Sequence, residues 1–352
     1  MSQQSHGARI TIHDVARAAG VSRQTVSNSV NNPERVSPDT LERVLAAIDE
    51  LGYHASSSAQ SLRSRRAGAI GLELHTLGSH NATTAPVLTA LSVRSASHDC
   101  HVVPFGSDSG SPMLEGYRAM WARRLVDSFI VTETHHGDPR PPWLEAHGIP
   151  YSSFGRVWDD PTFTRWVDVD GSAGTRAAVE HCLDSGYRTI AYLGWPEGSV
   201  VGDDRRAGWA TACEASGSAV RGPEATAEQD LDAAFAAAAP LVDQLGHGDA
   251  VVCASDVLAL GVHQVLVRRG LEPGRDVGVV GFDGSETAQM HHLTSVAQPF
   301  DAIAEESLRL VRGALRGEGS PAAGSLLLPS LRPDRSTVLH RGPAGPPPPP
   351  AT

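Results

Sequence analysis

Cysteines, aromatic side chains and long apolar runs are all scarce in this chain. Its four cysteines, Cys100, Cys182, Cys213 and Cys253, lie far apart with no CxxC pair. That excludes a disulfide framework or zinc knuckle and leaves buried free thiols. No stretch approaches the ~18 consecutive apolar residues of a membrane helix, and Met1 to Arg9 is polar, without the apolar run of a secretory signal. A soluble, cytoplasmic protein is expected. Catalytic signatures are missing too. No GxSxG elbow, HExxH, Walker loop or GxGxxG occurs in suitable context, and Gly106-Ser107-Asp108-Ser109-Gly110 has the wrong spacing for an elbow. His135-His136 and His291-His292 are adjacent pairs, and neighbours on a helix or strand do not face one metal well. Neither an enzyme, nor a metal site, nor a cofactor is expected.

What the chain does have is length, uneven charge and two kinds of periodicity. With 352 residues, 40% of them hydrophobic, it can fill two or three domains. The net charge is −11, but residues 1–66 hold eight Arg against six acids, while the rest hold 21 Arg against 34 acids. A mildly basic head on an acidic body suits local contact with DNA, because the body repels phosphates and limits where binding occurs.

The head reads as three helices. Thr11 caps the first with Asp14 as capping-box partner, Val15, Ala16 and Ala19 share a face, and Gly20 stops it by taking the left-handed conformation cheaply. Ser22 caps the second, with Val26 and Val30 turned inward and Asn31-Asn32-Pro33 ending it. Ser37 caps the third, with Pro38 at its favoured first position, a stripe of Leu41, Val44, Leu45, Ile48 and Leu51, and Gly52 closing it. The first two have the helix-turn-helix layout: small Ala16 lets the helices approach, Gly20 makes the turn, and Val21 plugs the gap. In that motif the second helix enters the major groove and its first residues meet base edges. Arg23 and Gln24 stand there, and Asn28, four residues on, shares the Gln24 face. Arg suits guanine; Gln and Asn suit adenine. Thr11, Ser22, Thr25, Ser27 and Asn31 are candidate phosphate contacts, which set orientation rather than sequence. An ordinary three-helix bundle with a polar surface is the competing reading.

The run T-I-H-D-V-A-R-A-A-G-V-S-R-Q-T-V-S-N-S-V-N from Thr11 to Asn31 resembles the head of the lactose-repressor and galactose-repressor family, as do Val36 to Thr40 and Leu51-Gly52-Tyr53. The resemblance continues to about Val338. It implies a DNA-binding head over 1–54, a hinge over 55–66 and an α/β core over 67–340, two-lobed, doubly wound and similar to periplasmic sugar-binding proteins. In the family the hinge turns helical on operator DNA and inserts a leucine into the minor groove. Ala59 and Leu62 match that element, with Leu62 as the wedge that bends the duplex; a linker leucine packed on the core is the alternative. Two departures stand out. Asn28 replaces the usual Arg, so the half-site is expected to differ, and the hinge opens Ala55-Ser56 instead of Pro-Asn.

From Ala67 short apolar runs alternate with helical segments. Residues 69–74, 101–104, 126–131 and 149–153 read as one set of parallel strands, and 166–169, 189–193, 250–254 and 277–281 as a second. Two lobes follow, about 67–167 with 299–328 and about 168–298, with a ligand cleft at the strand carboxyl ends. Trp166 to Gly171, Asp204 to Trp209, Ala254 to Gly261, Val279 to Asp283 and Leu293 to Pro299 carry the family resemblance here. It implies that Arg205 holds ligand oxygens and that Asp283 accepts sugar hydroxyls. Ser255 stands in place of the usual Asn, with shorter reach and fewer donors. Arg205 also reads as a surface arginine, Asp283 as a turn cap and Asp256 as a helix cap. The family's stacking tryptophan has no counterpart. Trp195 and Phe282 are the candidate substitutes, Trp195 also reading as loop packing; Trp209 reads as core.

Together these imply a repressor that binds a palindromic operator as a homodimer, controlled by a small carbohydrate effector, an oligosaccharide being favoured. A purine-type corepressor and a sugar-binding protein without DNA are the alternatives. The tail, 341–352, holds five prolines from Pro346 to Pro350 and is expected to be disordered. It lacks the leucine heptad of the family's tetramers, which favours a dimer.

Overall fold

The computed structural model describes residues 10–53, 67–75, 83–98, 100–107, 114–158, 160–217 and 220–338. Ala59, Leu62 and the proline-rich tail lie outside the described residues. The chain divides into two compact units, 1–67 and 68–352.

The first unit holds α1 (Ile12–Ala18), α2 (Arg23–Asn31) and α3 (Pro38–Leu51). Local chemistry sets each boundary. The Asp14 carboxylate accepts from the Thr11 N–H at 3.0 Å and hydroxyl at 2.7 Å. Gly20 sits at φ +65°, turning the chain between α1 and α2. The Ser22 hydroxyl caps α2 by accepting the Thr25 N–H at 3.0 Å, and Gly52 closes α3 at φ +59°. Val15, Ala16, Ala19, Val26, Val44 and Ala47 form the small core. Two expectations change. Val30 is exposed and Ser29 takes the second inward place on α2; Leu45 is exposed and Ala47 faces inward on α3. A core this small accepts one narrow face per helix, and Val26 with Ser29, like Val44 with Ala47, follows the i, i+3 spacing of that face. Ser22→Ala should cost the head about 1 kcal/mol, seen as a lower melting temperature in thermal denaturation followed by circular dichroism.

Among the described residues the second unit contains two six-stranded sheets. The first holds β1 (Ala69–His75), β2 (His101–Ser107), β3 (Ser128–Thr132), β4 (Tyr151–Phe154), β5 (Trp166–Val169) and β11 (Ser325–Leu327), in the order β11-β5-β4-β3-β1-β2. The second holds β6 (Thr189–Gly194), β7 (Arg221–Thr226), β8 (Asp249–Cys253), β9 (Val277–Asp283), β10 (Thr294–Ala297) and β12 (Ser330–Arg332), in the order β12-β10-β9-β8-β6-β7. Strands pair in parallel except β10 with β12. All seven residues of β9 are buried, as expected of a central strand covered on both faces.

Helices complete the layers. Beside the first sheet lie α4 (Thr84–Ala96), α5 (Glu115–Ala122), α6 (Arg140–Ala146) and α12 (Phe300–Leu315); Leu91 of α4 and Leu308 of α12 pack with Ile70 and Ile130. Around the second lie α7 (Gly171–Asp184), α8 (Val200–Ser216), α9 (Leu231–Val242), α10 (Asp256–Arg268) and α11 (Glu286–Met290). Helices α7 and α8 nearly touch at Gly208, where a Cβ would fall 2.2 Å from the Ser172 carbonyl oxygen.

The lobe boundary needs one correction. Residues 166–169 pair with β4 and β11, so β5 belongs to the first sheet and not the second. An apolar run shows that a strand exists but not which sheet receives it. The chain passes between the sheets three times: after β5, after β10, and between β11 and β12.

Candidate functional site

The carboxyl ends of strands from both sheets converge on one cavity of about 520 Å³, within the range of small-molecule sites. Glu73 of β1, Thr132 of β3, Phe154 of β4 and Asp168 of β5 line it from the first sheet. Trp195 beyond β6, Asp283 at the end of β9 and Gln298 beyond β10 line it from the second, together with Arg205 of α8.

Arg205 and Asp283 meet there. The guanidinium Nη1 lies 3.5 Å from Asp283 Oδ1, and both side chains are about 5% exposed. Nη1 also donates to the Ala254 carbonyl. One face of the guanidinium covers the Phe282 ring at 3.6 Å, and the Trp195 ring lies 5.2 Å away. Among the described residues the Nε–H of Arg205 is buried without a hydrogen-bond partner. A buried donor left unmade is costly, so this atom marks where a ligand oxygen gains most. Asp283 accepts from Gln298 Nε2 at 2.8 Å and holds an unusual φ of +117° for a residue with a side chain. Burial pushes its carboxyl up to about 7, against the opposing pull of the Arg205 cation.

Trp195 lines the cavity and donates its indole N–H to Gln229 Oε1 at 2.7 Å. The Ser255 hydroxyl donates to the same oxygen at 2.7 Å. Ser255 itself is fully buried and does not line the cavity, because it also caps α10 through the Leu258 N–H. The amide of Gln229 stands between it and the cleft, a residue the sequence reading missed. Phe282 is likewise fully buried and outside the lining, since its ring is roofed by Arg205. Of the two substitute aromatics, only Trp195 meets the cleft. Trp209 is core, donating its N–H to the Ile190 carbonyl at 3.2 Å.

One neighbouring carboxylate changes role. The cap of α10 is Ser255, not Asp256. Asp256 instead accepts from the Ser295 hydroxyl at 2.6 Å and the Ser285 N–H at 2.7 Å, bracing the β9–α11 turn; burial raises its carboxyl's pKa. Asp168 is bound by Arg156 at 2.8 Å, whereas Asp170 caps α7.

In the head, Arg23 and Gln24 are exposed in the first turn of α2. Gln24 Nε2 donates to Asn28 Oδ1 at 3.1 Å, so the two amides share one face. Ser22 and Thr25 sit at that same helix end with their hydroxyl oxygens 2.9 Å apart. Thr11 stands at the N-terminus of α1, Ser27 is half-buried on α2, and the backbone of Asn31 ends that helix. Among the described residues no group of three or more His, Cys, Asp or Glu could hold a metal ion, and no helix is long and apolar enough to cross a membrane.

Known proteins share this architecture. Residues 11–56 match bacterial regulatory proteins of the lacI family, and residues 179–337 match a periplasmic binding protein-like domain. The HTH-type transcriptional regulator CelR of Thermobifida fusca is 32% identical over 322 residues, covering 88% of this chain and 93% of that one. The lactose operon repressor of Escherichia coli (strain K12) is 29% identical over 339 residues, covering 94% and 91%. Among solved structures, the Lac repressor dimer bound to operator and the anti-inducer ONPF superposes with a TM-score of 0.74 at 26% identity, covering 94% of this chain and 100% of that one. The CelR–cellobiose complex gives 0.67 at 29% identity, covering 93% and 100%.

Proposed function

This chain belongs to the lacI family of bacterial regulatory proteins, and from that premise we propose that it is a cytoplasmic homodimeric repressor whose operator affinity is set by a small carbohydrate in the core cleft. The helix-turn-helix head is the DNA-binding element. Two heads on a two-fold dimer read a palindrome: Arg23, Gln24 and Asn28 meet base edges, while Thr11, Ser22, Thr25, Ser27 and Asn31 contact phosphates. Ala59 and Leu62 belong to the hinge element that completes operator contact. No catalytic chemistry is assigned.

One observation carries the effector reading: an unpartnered Arg205 Nε–H beside a buried Asp283 carboxylate, in a cleft at strand carboxyl ends. A sugar hydroxyl both donates and accepts, so it can satisfy the two at once. Trp195 supplies an aromatic face for sugar C–H groups. Ser255 acts through Gln229, and Phe282 acts by holding the Arg205 plane. The relative whose complex contains cellobiose supports a disaccharide. A ligand bridging both sheets favours one lobe angle over another, and that differential affinity is what couples the cleft to DNA.

The test is fluorescence anisotropy of the full chain on promoter fragments, titrated with a panel of sugars and nucleobases. A sugar that shifts operator affinity at least about tenfold supports the reading. A shift by nucleobases alone would replace it with the purine-type alternative.

The effector response should depend on pH through Asp283. A sugar hydroxyl donates better to the carboxylate than to the acid, and burial places that titration at about 7. Affinity is therefore expected to rise from pH 6 to pH 8 by calorimetry. Arg205, Asp256 and Gln298 are the groups that hold this carboxyl. Asp283→Asn should flatten the profile, and a slope that survives it would place the titration elsewhere.

A further inference from the structure

Trp195 follows β6, Gln229 lies between β7 and α9, and Ser255 caps α10, yet the three side chains meet. The indole N–H of Trp195 and the hydroxyl of Ser255 both donate to Gln229 Oε1, each at 2.7 Å. An indole N–H can only donate, so the end of the amide that faces it is the oxygen, and two donors fill both of that oxygen's lone pairs. The Nε2 group is the other end, and among the described residues no acceptor takes it. Gln229 is 3% exposed and lines the cavity. A donor kept in so buried a place without an acceptor is costly. Satisfying Trp195 and Ser255 needs only the oxygen, so the fold itself has no use for the amide's donors. Both partners are held firmly. The Ala227 N–H donates to the Gly194 carbonyl at 2.9 Å, and the Asp230 carboxylate caps α9 by accepting the Asp232 and Ala233 N–H groups at 3.0 Å. The Trp195 ring packs on α8 so closely that a Cβ at Gly202 would fall 3.0 Å from its Cε3.

We propose that Gln229 is a specificity-determining residue of the cleft: its amide nitrogen donates to one hydroxyl of the sugar ring stacked on Trp195, while its carbonyl oxygen holds that tryptophan in place. The proposal rests on the carbohydrate reading above and deepens it. A pyranose laid on an indole turns its C–H groups to the ring and spreads its equatorial hydroxyls around the rim. Gln229, bonded to the N–H edge of the same indole, stands where such a rim hydroxyl arrives. A site built to hydrogen-bond a hydroxyl rejects the analogue that lacks it, because a buried polar group is then left unpaired. The effector is therefore expected to carry a hydroxyl at one required position of the stacked ring.

The test uses the full chain with cellobiose, lactose and maltose, and then the monodeoxy derivatives of whichever binds most tightly, all read by calorimetry. Gln229→Met, of similar length but apolar, should weaken the parent disaccharide at least about tenfold. One monodeoxy derivative should bind the wild-type chain about as weakly and lose nothing further in Gln229→Met, while the others keep the full penalty. If Gln229→Met does not fold, Gln229→Glu replaces it. That variant keeps both bonds to Oε1 and exchanges the donor for an acceptor, so its effect should be confined to the same hydroxyl. Trp195→Phe keeps an aromatic ring and removes the N–H. Its loss combined with that of Gln229→Met should fall well short of the product of the two, because the side chains act as one unit. An equal penalty on every monodeoxy derivative, or none on the parent, would overturn the contact between Gln229 and the ligand. Losses that multiply would remove the positioning of Trp195. Binding of none of the disaccharides by the wild-type chain would sink the carbohydrate reading and this inference together, an outcome distinct from a disaccharide that binds without Gln229.

Discussion

Arg205→Met is expected to abolish the effector response while also weakening the core. The substitution leaves Asp283 buried without its cation, and breaking a buried pair in this way costs about 3–5 kcal/mol. The cost should depend on pH in a definite direction. Burial raises Asp283 to about 7 in the folded chain, so the folded state holds that proton more tightly than the unfolded state does. The resulting stabilisation is complete below the ordinary carboxylate range and lost as pH rises through about 7. Without Arg205 the loss on going from pH 5 to pH 8 should grow, as read by urea denaturation at both values. The double variant Arg205→Met, Asp283→Asn separates the two roles. Removing both charges should restore much of the stability, because the orphaned charge is gone. It should not restore effector binding, because the donor and acceptor are gone too; affinity should remain at least about 100-fold down. Full effector affinity in that double variant would show that the pair serves only the fold.

Gln24→Ala is expected to reduce specific operator affinity by about 1–3 kcal/mol, or roughly 5- to 150-fold, while leaving non-specific binding nearly unchanged. The side chain is exposed on the first turn of α2 and aligned with Asn28 through a 3.1 Å hydrogen bond. Losing it would remove the base contact proposed for Gln24 and free the second amide to reorient. A phosphate contact would behave differently, weakening all sequences alike and lowering the salt slope. The companion change Asn28→Arg should move one position of each half-site from adenine toward guanine, because the planar guanidinium matches the guanine O6/N7 edge. Competition between randomised duplexes measures both effects. Uniform weakening across all sequences would place Gln24 on the backbone.

The head was legible in sequence because its determinants are local. Ser22, Gly20 and Asp14 act within three residues of themselves, and the caps and turn stand where spacing placed them. The burial of Val30 and Leu45 was misjudged because the width of a helix's buried face depends on its neighbours. The parallel sheets were legible from strand–helix alternation, but β7, β10, β11 and β12 were not. β7, β11 and β12 are edge strands, β7 carries Pro223, and the four residues of β10 are too short a run to show a period. Arg205 and Asp283 were accessible only through family resemblance, since nothing in the residues around them shows that they meet. The contacts of Gln229 with Ser255, and of Glu73 with Arg140 67 positions later, join distant segments and leave no periodic trace. Ser255 and Phe282 were placed one layer too shallow for the same reason: sequence shows that a residue lies near a strand end, not what stands between it and the cavity.

Recognition of duplex sequence by the exposed face of α2 is tested most directly by anisotropy titration at ~0.15 M salt. The titration compares a palindromic site selected from random duplex DNA with a scrambled duplex of the same length. The expected result is at least about a thousandfold preference for the selected site, lost in Gln24→Ala with Asn28→Ala and modulated by a sugar in the wild-type chain. Equal affinity for every duplex, with and without the sugar panel, would contradict it.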